Sequence, residues 1–353
     1  MISFLNDYSE GAHPEVLREL SEHNLIPTPG YGEDPVTEEA RSLLRNAMGM
    51  PDAEIHFLVG GTQTNAAYIA AVLRPWEGVI SAETGHIAQH ETGAVEASGH
   101  KVLTLPAPEG KLRAEDVREV LAEHRANEIR EHMVKPGMIY ISNPTELGTV
   151  YRRSELIALH ETAREFGIPL YLDGARLGSA LAAKGNDMTL PEIAGNVDAF
   201  TVGGTKNGML FGEALVFTTP GFVRDFRYLE KQRGAMLAKG WLLGLQFRAL
   251  FRDGLYFRLA EKAVALAETL SAGFRERGLE LFVESPTNQV FVLLTDGEAA
   301  YLRGKYAFEF WEKADGGRSV YRFVTSFART EEEIRALLDD AETAKKRTDA
   351  QIW

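Results

Sequence analysis

The sequence predicts an α/β protein: a large domain built on a mainly parallel, roughly seven-stranded sheet with helices on both faces, then a small C-terminal α+β domain. Three observations predict it. Short apolar runs of strand length alternate with helix-length stretches between residues 55 and 217. The glycine-bearing and charge-bearing turns fall where those runs end, the edge at which such sheets bind ligands. After Phe217 the alternation stops, and two long helices lead to a hairpin-like pair of strands. At 353 residues the chain has room for one large and one small unit, which we assign as 1–250 and 251–353, with the arm at the start in the first.

Residues 1–35 are rich in turn formers, from Asn6-Asp7 to Pro29-Gly30-Tyr31-Gly32, and read as an irregular arm with a short helix over 14–24. Such arms reach a partner subunit, line a site, or simply fray. A helix over 37–48 is opened by the capping pattern Thr37-Glu-Glu-Ala. The strands are 55–59, 79–82, 101–105, 138–142, 169–172, 199–202 and 214–217. Between them lie an Ala-rich helix ending at Arg74 and helices over 84–97, 113–133 and 154–166. Residues 221–239 read as helical and basic, 241–252 as an apolar helix and 254–275 as a long amphipathic one. Strands at 281–283 and 290–294 come after these. Next are 307–312 and 319–327 about Asp315-Gly316-Gly317, and a final helix over 330–347.

The net charge of -13 argues against a nucleic-acid backbone as partner. With no cysteine, thiol chemistry, disulfides and thiolate metal sites are excluded, and no metal site is expected. No run reaches the roughly 18 apolar residues of a membrane span. The opening residues lack the basic flank and apolar core of a signal peptide. We expect a cytoplasmic protein with neither membrane nor nucleic acid as partner.

Lys206 lies between two glycine breaks, in Gly203-Gly-Thr-Lys-Asn-Gly208, at the mouth of the sheet. A buried amine with a lowered pKa can condense with an aldehyde; an exposed turn lysine cannot be told from it by this stretch alone. Gly60-Gly61-Thr62-Gln63-Thr64-Asn65 joins a strand to a helix, where close backbone and free amides suit a phosphate. It has neither the P-loop nor the dinucleotide pattern. Asp173 ends an apolar strand, so its carboxylate needs a partner, such as a protonated ring nitrogen. Arg176 carries a planar fork suited to a carboxylate, although an ion pair between Asp173 and Arg176 is the plain alternative.

Those stretches, together with Asn6-Asp7-Tyr8, Gly30-Tyr-Gly-Glu-Asp34, Gly85-His86-Ile87, Glu91-Thr-Gly-Ala94, Asp173-Gly-Ala-Arg176 and Lys231-Gln-Arg-Gly234, stand in one order over residues 6–240. In this the sequence resembles the fold type I pyridoxal-phosphate enzymes, and it is most similar to the low-specificity L-threonine aldolases, classed with the aromatic amino acid β-eliminating lyases. The C-terminal third adds Tyr321-Arg322-Phe323. The resemblance implies the aspartate aminotransferase fold and pyridoxal 5'-phosphate as cofactor. Lys206 would hold it covalently, Asp173 would pair with the pyridinium nitrogen, and His86 would stack on the ring. Gly60, Gly61, Thr62, Gln63 and Thr205 would complete its binding. Arg176 and Arg322, with Asn6 nearby, would hold the substrate carboxylate. Tyr31, Arg233 and Lys239 would come from, or lie against, a neighbouring subunit of a homo-oligomer whose site is at the interface.

The implied reaction is cleavage of the Cα–Cβ bond of L-threonine, L-allo-threonine or a related β-hydroxy-α-amino acid to glycine and an aldehyde. Many threonine aldolases carry Glu-Asn-Thr-His-Asn after the strand matching 138–142. Here Ser142-Asn143-Pro144-Thr145-Glu146-Leu147-Gly148 lacks that histidine. His86 is then left to orient or deprotonate the substrate hydroxyl, with His90 and Glu91 behind it. A β-eliminating lyase on an aromatic or other amino acid, an aminotransferase, and a binding protein without activity are the alternatives.

Overall fold

The computed structural model describes residues 1–351. A two-residue strand, β1 (Ile2–Ser3), opens the chain. The main sheet is then built from β2 (Glu54–Leu58), β3 (Glu77–Ala82), β4 (Val102–Leu105), β5 (Lys135–Ser142), β6 (Leu170–Asp173), β7 (Ala199–Gly203) and β8 (Glu213–Phe217). Their order is β2-β8-β7-β6-β5-β3-β4. Every pairing is parallel except those of β8, which runs antiparallel to β2 and to β7. This is the mainly parallel seven-stranded sheet expected from the sequence.

Helices cover both faces, so the strands are apolar on both sides. Alternation still sorts the residues: Ile139, Ile141, Leu170 and Leu172 enter one core, and Met138, Tyr140 and Tyr171 the other. The reversed direction of β8 decides which of its residues reaches the ligand edge. Its amino end, rather than its carboxyl end, meets the edge where β2, β6 and β7 finish.

A second, antiparallel sheet in the order β11-β12-β9 is formed by β9 (Gln289–Thr295), β11 (Glu309–Lys313) and β12 (Arg318–Val324). Just before β11 lies β10 (Tyr306–Ala307). The helix Leu255–Glu276 spans both cores. Leu255, Tyr256 and Leu259 pack on the main sheet, while Leu266, Leu270 and Phe274 pack against the second. The amino terminus belongs to this second core as well. β1 pairs with β10, Ile2 facing Tyr306, and Phe4 is fully buried among Phe274, Tyr306 and Phe323.

Several expected elements are shorter. The helix at 37–48 begins earlier, as Pro35–Met48, and its cap is Asp34, whose Oδ1 accepts from the Thr37 amide at 2.8 Å. The expected helix over 84–97 is two single turns, His86–Gln89 and Ala94–Ala97, because Thr92 and Gly93 take left-handed φ of 54° and 72°. Helix 113–133 stops at Ala126 and gives way to a 3-10 turn, Arg130–His132. Of 221–239 only Phe226–Gln232 is helical, since Gly221, Asp225 and Gly234 are all left-handed. The segment 281–283 contributes one bridge, Leu281 to Val292, rather than a strand. The expected strand over 307–312 is divided between β10 and β11. No helix among the described residues is long and apolar enough to cross a membrane.

Candidate active site

A cavity of about 300 Å³ opens at the carboxyl edge of the main sheet. Each strand delivers a different group to it. β2 leads to Gly60, Gly61 and Thr62, β3 to His86, β5 to Glu146, β6 to Asp173 and Arg176, and β7 to Thr205 and Lys206. Antiparallel β8 presents Glu213 from its start, and the arm adds Tyr8. A larger cavity of about 420 Å³, lined by Trp76, Leu121 and Phe166 among others, contains none of the predicted site residues.

Asp173 is held on both oxygens. Its Oδ2 accepts from Asn65 Nδ2 and from the Tyr140 hydroxyl, each at 2.8 Å. Its Oδ1 accepts from the Ala175 amide at 2.9 Å. Asn65 is in turn fixed by the Tyr171 hydroxyl at 2.8 Å and by donating to Glu91 Oε1 at 2.8 Å. That same Glu91 oxygen lies 2.8 Å from His86 Nδ1. One chain of hydrogen bonds therefore runs from the imidazole to Asp173. The break at Thr92-Gly93 is what leaves Glu91 free of a continuous helix and able to turn inward.

Lys206 is treated differently. Gly203 and Gly204 place it: a Cβ on Gly203 would meet the Ala175 carbonyl oxygen at 2.3 Å, and one on Gly204 the Met209 sulfur at 2.1 Å. The Tyr8 ring lies 6.0 Å from Nζ, and among the described residues no hydrogen bond or ion pair holds the amine. Burial, and then the charge of Arg176, push its pKa below the ordinary lysine range. A partly neutral amine in a cavity is a nucleophile.

No packing within the protein demands glycine at 60 or 61, since a Cβ at either would meet nothing within 4 Å, and both line the open cavity. Gly60 opens the twelve-residue helix Gly61–Val72 without a side-chain cap, so the helix end faces the cavity. A helix end suited to an anion, a half-buried amine without a partner among the described residues and an anchored carboxylate share one cavity. They fit the phosphate, aldehyde and ring nitrogen of pyridoxal 5'-phosphate.

Other predicted residues lie elsewhere. Arg176 faces the cavity, yet its fork is taken by Asp7, with Nε to Oδ2 at 2.6 Å and Nη2 to Oδ1 at 3.0 Å. Asp7, not Asp173, is thus its ion-pair partner, and Asn288 Nδ2 adds a bond to Asp7 at 2.9 Å. Burial raises the Asp7 pKa, but Arg176 outweighs it and holds the carboxyl below the usual range. Asn6 turns away and caps its own turn, accepting from the Tyr8 amide and the Ser9 hydroxyl. Gln63 is occupied with the Val59 amide and the Arg233 carbonyl, at 3.2 and 3.3 Å, and neither Gln63 nor Arg233 lines the cavity. Tyr31 is 46% exposed, with Lys231 over its ring. Arg322 is bound to Glu309 and Gln289 and lies 5.1 Å from the Trp311 ring, outside the cavity lining. His90 lies behind the cavity lining as expected, its ring 5.6 Å from that of His86 and 6.2 Å from that of Trp311.

Sequence reasoning passed over Asp7, Asn65, Tyr140, Glu146 and Glu213. Glu146 accepts from the His86 amide at 2.9 Å and from the Ser142 hydroxyl at 2.6 Å, and burial raises its pKa. The one readable signal was a glutamate opening the apolar run 214–217.

A family model described as beta-eliminating lyase matches residues 23–296. The chain belongs to the beta-eliminating lyase family. Among related lyases, it is 32% identical over 340 residues to a low specificity L-threonine aldolase of a Pseudomonas species, covering 96% of both chains. A solved structure of Leishmania major threonine aldolase superposes with a TM-score of 0.94 at 43% identity, covering 97% of this lyase and 99% of that chain. Aspartate aminotransferase from Thermus thermophilus superposes at 0.71 with 17% identity over 98% and 91% of the two chains, a likeness of fold alone. The fold expected from the sequence is therefore the one observed.

Proposed function

We propose that this lyase, loaded with pyridoxal 5'-phosphate, cleaves the Cα–Cβ bond of L-threonine, L-allo-threonine or a related β-hydroxy-α-amino acid to give glycine and an aldehyde. The observation that carries the reading is Lys206, half-buried, unpaired among the described residues and lining the same cavity as the anchored Asp173. The Pseudomonas and Leishmania relatives support it through the activity in their names. When bound, the cofactor supplies a carbonyl for amines and a ring that accepts the electrons of the cleaved bond.

The chain's own residues do the rest. Gly60, Gly61 and Thr62 receive the phosphate at the helix end. Asp173, fixed by Asn65 and Tyr140, keeps a negative charge opposite the ring nitrogen. Lys206 presents its amine and gives way to that of the substrate. His86, oriented through Nδ1 by Glu91, takes the proton of the substrate hydroxyl. Arg176 and Arg322 supply positive charge for the substrate carboxylate. A second copy of the chain brings Tyr31 and Arg233 toward the site, consistent with their exclusion from the cavity of their own chain, and the oligomer works in the cytoplasm.

The test is product analysis. Purified protein with pyridoxal phosphate should convert L-threonine, L-allo-threonine or phenylserine to glycine and the matching aldehyde. A 2-oxo acid with ammonia, 2-oxobutanoate from either threonine or phenylpyruvate from phenylserine, would move the assignment to β-elimination, and no turnover of any of the three would remove the reading.

A further inference from the structure

Four carboxylates act on the surroundings of Lys206 from four elements: Asp7 on the arm, Asp173 after β6, Glu146 after β5 and Glu213 at the start of β8. Three are committed. Asp7 is held by Arg176 and Asn288. Asp173 is bound on both oxygens. Glu146 accepts from Ser142 and the His86 amide. Glu213 alone combines three properties: it lines the cavity, it is 4% exposed, and its Oε2 has no partner among the described residues. Its neighbour Thr205 accepts from the Gly212 amide at 3.0 Å and hydrogen-bonds the Glu213 carboxyl, which leaves Oε2 as the unpaired oxygen among the described residues. A buried carboxyl oxygen without a donor is costly unless it carries a proton of its own.

Resting on the proposed aldolase function and deepening it, we propose that Glu213 is a positioning residue that shares one proton with Lys206, taking it when the amine must be neutral and returning it when the amine is released. In the transfer one N–H bond of the ammonium breaks and one O–H bond forms on Glu213, through solvent in the cavity. No other atom changes. The charge count agrees. Burial disfavours both charges, Arg176 repels a charged Lys206 and Asp173 opposes ionisation of Glu213, while Lys206 and Glu213 would attract each other if both were charged, so the proton can reside on either group. Burial raises Glu213 to about 8, which places its titration beside neutral pH.

Infrared difference spectroscopy of the full-length holoenzyme across pH tests this without relying on turnover. A carboxylic-acid carbonyl band should be present at neutral pH and disappear with an inflection near 8. It should be missing in Glu213→Gln. In Lys206→Ala, which removes the second site for the shared proton, the inflection should move down. The pH titration of the bound cofactor's absorbance should lose the same inflection in Glu213→Gln. Should that variant fail to fold, Glu213→Asp should keep the band with a displaced inflection. An ionised Glu213 at neutral pH, or a band that Lys206→Ala leaves unmoved, overturns the proposal. Either result leaves the aldolase reading standing, since product analysis judges that separately.

Discussion

Asp173 and Lys206 face each other across one cavity, and the fold handles them in opposite ways. Asp173 is surrounded by donors, and each donor is itself fixed: Asn65 by Tyr171 and Glu91, Tyr140 by its place in a buried strand. Lys206 is placed by backbone packing but has no hydrogen-bond or ion-pair partner among the described residues. A group that must keep one charge through a reaction gains from saturation with hydrogen bonds. A group that must change partners and protonation gains from being left short of them. The same contrast separates Asp7 and Glu213, one bidentately paired and the other with a bare oxygen.

The contrast can be broken at either wall. Lys206→Ala should have the largest effect, abolishing glycine formation and the borohydride-stable label while leaving the thermal midpoint near that of wild type. Retention of the label would show that the unpaired amine is not the attachment point. Asp173→Asn should come next. It removes the charge but keeps the shape, and should lower kcat/KM by about 100-fold or more, the size expected for a lost buried charge contact of about 3 kcal/mol.

Asp7→Asn strikes a saturated pair at the cavity wall, and should lower stability by about 3 kcal/mol in denaturant titration, because Arg176 is left largely buried without its ion-pair partner. The pair also sets a pH dependence. The folded Asp7 carboxyl titrates below its ordinary range, so its stabilisation is present at neutral pH and is lost as pH falls through the folded value. Acid scans of the thermal midpoint should show that loss in wild type and not in the variant. Tyr140→Phe should be mildest, weakening the hold on Asp173 by about 1 kcal/mol and lowering kcat about fivefold with KM little changed.

Legibility in the sequence divides along the same line. His86 entered only through the family resemblance, whereas the strands of the main sheet, the turns at their ends and the placing of Lys206 and Asp173 on those turns were legible because apolar runs broken by glycine are local signals. Asp7 as the partner of Arg176 was not, since 169 positions separate them and only the folded arm brings them together. Glu213 was hidden by strand direction: nothing local says that β8 runs against its neighbours and so brings its first residue to the ligand edge. Glu91 became available through a left-handed pair, Thr92-Gly93, inside a stretch with helical periodicity. The side chains of Tyr31, Gln63 and Arg233 turn elsewhere within one chain, which residue type alone does not reveal.

The parallel pairing of Ile2–Ser3 with Tyr306–Ala307 bears on how the molecule is made. A ribosome releases the first residues long before their strand partner exists, so Phe4 waits without a core until more than three hundred residues have followed. Asp7, three positions further on, gains Asn288 only at that late stage. Synthesis must therefore pass residue 288 before the hold on Asp7, and through it on Arg176, is complete.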